Sequence, residues 1–446
     1  MTSVVRSLPA AIDLAVIGAG PQALTVVTHL LQKKKRMQPR ILAFDPSGTW
    51  MHQWNHQFTA LEIPHLRSPA VHHPDPDPYA LRRFAESRWD ELFPPYDLPG
   101  TTLFREFCQD VVRRWNLADQ VYPAQVVRVQ TVGDRRYCRF LLSLSTGETI
   151  IARRVVLASG SGCPHLPDWV QQIPTGYPGD RLLHSSQVNL QHLKLQGERV
   201  LIVGGGLTSG HLAIGAIRRG ARVMLMARRT IYEKLFDVDP GWLGPKYLKD
   251  FWAEPDWSAR WQMIQQARNG GSMTPAILTQ LRRLAREGHL EFFEQCQVSK
   301  ATWVQHEASQ SSDPVSKDPV SNPAFEAQAV NLAQPESTER GKLGYWRVCC
   351  NHPAQHACIH SQEIHRIWLA TGSQLDGTRH PLLQDIAAQY PVTWVNGLPV
   401  LEESLQWPGV GLYIMGGLAA LHVGPTARNL SGARSASDRI VKALLA

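Results

Sequence analysis

Residues 14–23 read Leu14-Ala15-Val16-Ile17-Gly18-Ala19-Gly20-Pro21-Gln22-Ala23, and an apolar stretch from Leu24 to Leu31 follows. A short apolar run, a glycine-rich turn and a helical pattern make strand, tight turn, helix. The spacing is G-x-G-x-x-A, a form of the dinucleotide fingerprint. Gly18 permits the tight turn, Gly20 lets backbone approach a pyrophosphate, and Ala23 allows close helix–strand packing. Pro21 and Gln22 open the helix, whose N-terminus attracts phosphate. The next strand, Arg40 to Phe44, ends at Asp45, an acid placed to accept hydrogen bonds from a ribose.

The pattern restarts near residue 199. A strand from Val200 to Val203 runs into Gly204-Gly205-Gly206-Leu207-Thr208-Ser209-Gly210 and then a helix. Here the following strand ends in Arg228-Arg229 rather than in an acid. An acid favours a free 2′-hydroxyl and arginine accommodates a 2′-phosphate. The first turn, with Asp45, therefore reads as an FAD site. The second, with Gly204, Gly206, Thr208, Ser209, Arg228 and Arg229, reads as an NADPH site. Two further strands finish in small residues, Leu157-Ala158-Ser159-Gly160 and Leu369-Ala370-Thr371-Gly372; small residues let the chain turn close beneath a cofactor.

The expected fold class is α/β, with two Rossmann-like dinucleotide-binding domains. The FAD domain is split in sequence, as residues 1–190 and 346–446, and the NADP domain, residues 191–345, is inserted within it. Within the insert, residues 306–342 are polar, carry Asp-Pro-Val-Ser twice, and are expected to be a disordered surface insertion.

Composition narrows the class. The chain has 446 residues, 43% hydrophobic and 19% charged, an ordinary globular balance that excludes collagen-like, coiled-coil and wholly disordered architectures. Its formal charge of +8 suits anionic small ligands, but the basic residues are spread out. The one dense run, Lys33-Lys34-Lys35-Arg36, reads as a solvated helix end, so no nucleic-acid partner is expected. Seven cysteines without a CxxC pair fit a reducing compartment, and the absence of a signal sequence or long apolar run points to the cytoplasm, with no membrane partner.

Residues 46–99 are rich in Pro, His, Trp and other aromatics and read as long ordered loops around short helices, usually a functional trait. Trp50 and Trp54 either wall a flavin or pack as ordinary large side chains. His65, His72 and His73 lack standard zinc spacing and have no cysteine nearby, so no metal site is expected. The tryptophans at 242, 252, 257 and 261 read as core or interface packing before a substrate mouth.

Together the two glycine turns, Asp45, Arg228-Arg229 and the paired Ala-Ser-Gly and Ala-Thr-Gly strand ends resemble the two-dinucleotide-binding flavoproteins. Leu61-Glu62-Ile63-Pro64-His65-Leu66-Arg67-Ser68-Pro69, with Asp75-Pro76-Asp77-Pro78-Tyr79-Ala80-Leu81 and Phe84, is similar to a segment of the lysine and ornithine N-hydroxylating monooxygenases. Arg67 stands where that family has a lysine, and Glu62 where it commonly has a glutamine beside the flavin. Departures are Ser373 for a tyrosine, His365 for an aspartate, Gly416-Gly417 for Gly-Asp, and a flavin-monooxygenase signature echoed by Tyr177, Gly179 and His184 with the histidine one place late.

The resemblance implies an FAD-dependent, NADPH-reduced oxidoreductase. It would hydroxylate a small amine nitrogen, or sulfur, with molecular oxygen through a flavin hydroperoxide. Arg67 and Glu62 are its catalytic candidates, Arg67 as a clamp for NADPH or a substrate carboxylate unless it serves as a surface ion pair. Gly372 and Gly417 approach the cofactors, and Gly424 to Asn429, with Arg428, opens a helix aimed at the flavin. Two alternatives stay open: an NAD(P)H-dependent flavin reductase serving a quinone or protein acceptor, and a non-catalytic regulatory flavoprotein. The oligomeric state, including a homo-oligomer, is open too.

Overall fold

The computed structural model describes residues 8–133, 138–160, 162–305, 344–351 and 362–446; the expected disordered insertion, 306–342, lies outside them. Two compact units emerge. The first comprises residues 1–164, 234–274 and 373–446, and the second 165–233 and 275–372. These divisions differ from those expected at 190/191 and 345/346, and strand pairing is the reason. Leu182–His184 pairs with Arg366–Leu369, which in turn pairs with Arg199–Val203, so residues on both sides of the glycine turn belong to one sheet. Residues 234–274 return to the first unit, whose core takes Val238, Trp242, Leu248, Phe251 and Ile264.

The first unit is built on β1 (Ala11–Ile17), α1 (Pro21–Lys33) and β2 (Ile41–Phe44). Among the described residues its main sheet has seven strands. Val121–Tyr122, β2, β1 and Thr149–Leu157 run parallel in that order. One edge of Thr149–Leu157 pairs with β1. The other edge is shared: its start pairs antiparallel with Arg139–Leu144, and its end pairs parallel with Leu412–Ile414. β1 and β2 are apolar and buried throughout their paired length, as parallel strands covered on both faces require. α1 starts at Pro21, whose missing N–H costs nothing at a first helical position, and buries every residue from Ala23 to Leu31. Buried on every face, with Thr25, Thr28 and His29 among its apolar residues, it packs between the sheet and the helix Leu430–Leu445.

The second unit carries a five-stranded parallel sheet among its described residues, in the order Leu182–His184, Arg366–Leu369, Arg199–Val203, Arg222–Met226, Leu290–Phe293. Beside it Gln297–Gln305 pairs antiparallel with Gly344–Asn351. Trp346, fully buried, donates its indole N–H to Arg181 O at 3.1 Å. Arg366 satisfies its buried guanidinium with Glu198 (Nε to Oε2, 2.5 Å) and Asp180 (2.9 Å), and those acids raise its pKa against the desolvation that lowers it. Among the described residues no helix is long and apolar enough to cross a membrane.

Burial pushes four histidines of the first unit, His72 among them, down to about 4, and three of the four are almost sealed from solvent. His29 (6% exposed), His73 (0%) and His422 (5%) are each pushed down to about 4, chiefly by desolvation. In the unfolded chain they titrate near 6.5, so the unfolded state takes up protons first as the pH falls. Their contribution is therefore complete above about pH 6.5 and is lost as the pH drops toward 4, up to about 3 kcal/mol for each. Thermal midpoints measured across that window should fall steeply. His29→Gln, which removes one of the three groups, should make the slope shallower; an unchanged slope would refute the assignment.

Candidate functional site

In each unit one strand lies at the point where the chain switches direction across the sheet, and its carboxyl end carries a glycine turn. In the first unit β1 leads through α1 to β2 on one side, while Thr149–Leu157 lies on the other. Ligands of open parallel sheets bind outside such ends. Gly18 adopts φ +102°, and a Cβ there would lie 2.6 Å from Ala158 O. The Ala-Ser-Gly strand end is thus the surface against which the first glycine is pressed. Gly18 N–H also donates to Phe44 O at 2.9 Å, which ties the turn to the end of β2.

Gly20 caps α1 without a side-chain acceptor, and no acidic residue stands in the first turn of the helix. At Gly20, Gly160 and Gly416 a Cβ would meet no heavy atom within 4 Å, which leaves the backbone at each open to close approach. Gln22 Nε2 donates to Ala427 O (3.2 Å) and Asn429 O (3.4 Å), while its Oε1 is buried with no hydrogen-bond partner among the described residues. Asp45 accepts from Ala19 N–H (3.3 Å), Ser47 N–H (3.0 Å) and Ser47 Oγ (2.6 Å), which fixes its carboxylate beside the turn. Gly417 lies against Leu375 and the Arg428 side chain. These groups fit FAD: a helix N-terminus for its diphosphate, Asp45 for a ribose, and open glycine backbone for the cofactor to lie against.

The second unit repeats the device. Gly204 adopts φ +145°, and a Cβ would overlap Ala370 O of the Ala-Thr-Gly strand end, closer still than at Gly18. Gly206 caps the helix Leu207–Arg218 with open space beside it, and Gly372, at φ +79°, is equally open. Ser209 is fully buried and donates its hydroxyl back to Gly206 O at 2.6 Å, so it braces the turn; Thr208 beside it is half-buried. Arg228 is exposed and makes no hydrogen bond or ion pair among the described residues, and Arg229 lies 6.0 Å from the centre of the Tyr232 ring. A free guanidinium at this strand end suits a 2′-phosphate. His184 closes the floor. Its Nε2 donates to Gly372 O at 3.1 Å while Nδ1 accepts Ser186 N–H at 3.3 Å, a pairing that needs the neutral ring, and burial lowers its pKa.

The remaining candidates stand elsewhere. Trp50 is buried and donates its indole N–H to Leu117 O at 2.8 Å, a packing role. Trp54 stacks on Phe58, with ring centres 3.8 Å apart, and is half-buried. Glu62, at φ +51°, follows the helix His52–Ala60 in a left-handed conformation that glycine usually takes and that costs of order 1 kcal/mol here. Asp237 and Arg268 carry no motif in the sequence and are found only by packing.

Arg67 is neither a free clamp nor a surface pair. Its Nε donates to Leu235 O (2.8 Å), and Nη2 to Lys234 O (2.6 Å), Phe236 O (2.9 Å) and Ser272 Oγ (2.8 Å). Asp237 lies 3.9 Å away, and burial lowers the guanidinium pKa. A lysine has no planar fork to serve three successive carbonyls. Arg67→Lys should therefore fail to restore what Arg67→Ala loses: both should expose the 234–237 amides to hydrogen exchange and cost about 2–4 kcal/mol, since buried acceptors are left unpaired. Full protection of this segment in Arg67→Lys would contradict the clamp.

Comparison with known proteins agrees with this geometry. An FAD–NAD(P)-binding family model matches residues 15–162, and the L-lysine 6-monooxygenase/L-ornithine 5-monooxygenase model matches 99–317. L-lysine N6-monooxygenase of Escherichia coli is 27% identical over 159 residues, a stretch that is 34% of this chain and only 36% of that relative. The ornithine N-hydroxylase of Kutzneria sp. 744, solved with reduced FAD, NADP+ and L-ornithine, superposes with a TM-score of 0.71 at 16% identity, over 98% of this chain and 99% of that one. The FAD-bound cadaverine monooxygenase of Erwinia amylovora gives 0.70 at 14% identity, over 98% and 95%. Strand order and the two glycine turns accord with both family models: the chain has the fold of these two solved structures, its residues 15–162 match the FAD–NAD(P)-binding model, and its residues 99–317 match the lysine/ornithine monooxygenase model.

Proposed function

We propose that this protein is an FAD-dependent, NADPH-reduced monooxygenase that hydroxylates the nitrogen of a small amine. The observation that carries the reading is the duplicated switch-point turn, each first glycine pressed on its own small-residue strand end, in a chain whose residues 99–317 match the lysine/ornithine monooxygenase model. FAD and NADPH, when bound, supply the hydride and the activation of dioxygen; the protein positions them and excludes water. Asp45 accepts from a ribose, the N-terminus of α1 faces the diphosphate, and the helix Leu207–Arg218 does the same for the nicotinamide dinucleotide. Arg228 selects the 2′-phosphate. Gly372 offers open backbone whose carbonyl His184 holds in place.

Substrate choice follows from Arg67. Its donors are spent on the chain's own carbonyls, so a substrate carboxylate is not held there. Glu62, on its strained backbone, remains the proposed residue beside the flavin. Lysine, ornithine and cadaverine, acted on by the relatives above, therefore belong in one screen.

The purified protein should be yellow and should oxidise NADPH in preference to NADH. Arg228→Ala should erase that preference, about ten-fold, as expected for one lost charge-assisted contact. Amine-dependent NADPH oxidation should yield a hydroxylamine. A protein that stays colourless after incubation with FAD would end the reading; NADPH oxidation without hydroxylamine from any amine would favour the flavin-reductase alternative.

A further inference from the structure

The turn 424–429 of the first unit is held from several sides. Gln22 Nε2 donates to the carbonyls of Ala427 and Asn429, and Arg268 Nη1 donates to Pro425 O at 2.8 Å. Within the turn Ala427 N–H bonds Gly424 O (3.1 Å) and Asn429 N–H bonds Thr426 O (2.7 Å). Gly432 packs so tightly beneath it that a Cβ would overlap Thr426 O. Such restraint fixes where the side chain of the intervening residue, Arg428, must emerge.

Arg428 is the charged group in this turn, and it makes no hydrogen bond or ion pair among the described residues. Asp237, the carboxylate among the described residues whose charge acts on Arg428, is taken: Arg268 Nη2 lies 2.6 Å from it and Arg67 Nη1 3.9 Å. Three guanidinium groups therefore share one acid. Arg428 is solvent-accessible yet surrounded by protein, and that surrounding, together with repulsion from Arg268, lowers its pKa to about 10. Its Cγ would lie 3.2 Å from a Cβ at Gly417, at the carboxyl end of Leu412–Ile414. Through Gln22 the same turn is tied to the first turn of α1, where the helix offers unpaired amides and no acidic residue. An uncompensated cation held beside an open helix N-terminus calls for an anion.

We propose that Arg428 binds an anionic oxygen of the dinucleotide seated at the Gly18–Gly20 turn, and that Gln22 is the positioning residue that presents it. The inference rests on the FAD reading above and deepens it. Arg428 touches the ligand, whereas the Gln22 amide acts through the 427 and 429 carbonyls. The anionic oxygen belongs either to the diphosphate or to the reduced flavin ring, and the two sources separate by experiment.

The test uses FAD-loaded wild type, Arg428→Ala, Arg428→Lys, Gln22→Met and the double variant Gln22→Met/Arg428→Ala. Thermal melts identify any variant that is merely unfolded. FAD affinity at low and high salt and the flavin midpoint potential are the readouts. Arg428→Ala should weaken FAD about ten-fold at low salt and less at high salt if the diphosphate is the partner. It should instead lower the midpoint potential at unchanged affinity if the reduced ring is the partner. Arg428→Lys should recover part of either effect. Gln22→Met should reproduce part of it and add nothing once Arg428 is gone, the non-additivity expected of residues acting as one. An Arg428→Ala protein with wild-type affinity and potential would overturn the proposal, even if its KM for amine rose. An effect of Gln22→Met that persists in the double variant would remove Gln22 from the positioning role. Failure of the wild type to bind FAD would be a failure of the underlying function.

Discussion

The close approach of a glycine Cα to the carbonyl ending a neighbouring strand is the constraint on which the rest depends. Gly18 meets Ala158 and Gly204 meets Ala370. Both contacts occur where the sheet order reverses, so strands from distant parts of the chain converge on one point. A side chain at either glycine would have to displace backbone that is hydrogen-bonded into a parallel sheet. With glycine there, the helix starts directly above the strand ends and its amides face outward. The helix N-termini, the open glycines and the flanking polar groups all inherit their positions from that contact.

Charge is then sorted by geometry. Arg67 and Arg268 spend their donors on backbone carbonyls and on Asp237, which ties residues 234–272 to the loop around residue 67 and to the turn at 425. Arg366 does comparable work in the second unit with Glu198 and Asp180. Arg228 and Arg428 have no such employment. A guanidinium that holds the fold and one left without chain partners differ only in whether chain acceptors surround it, a property of packing rather than of residue type.

The second constraint is desolvation. His29, His73 and His422 are buried as neutral rings, so the unit containing the Gly18 turn is most stable above the range in which they would take up protons. His184 uses the same neutral form for a different end, donating to Gly372 O while accepting from Ser186. It also stands in an imperfect flavin-monooxygenase signature, and its hydrogen bond to Gly372 O gives a histidine at this position a structural task.

Local sequence determined the strand–turn–helix units, the positions of the two glycine turns and the small-residue strand ends. Each of these depends on properties that neighbouring residues carry with them: apolar periodicity, glycine's access to positive φ, and the absence of a Cβ. Only the tertiary structure decided that Ala158 and Ala370 are the surfaces those glycines need, because partners well over a hundred residues apart leave no local trace. It also decided that residues 165–190 and 346–372 share a unit with the second turn, since strand pairing is a long-range choice. Likewise it decided that Trp50 is core, that Arg67 serves the chain itself, and that Gln22 reaches across to the carbonyls of 427 and 429. A side chain's task is set by the acceptors and apolar surfaces that folding brings to it, and those come from elsewhere in the chain.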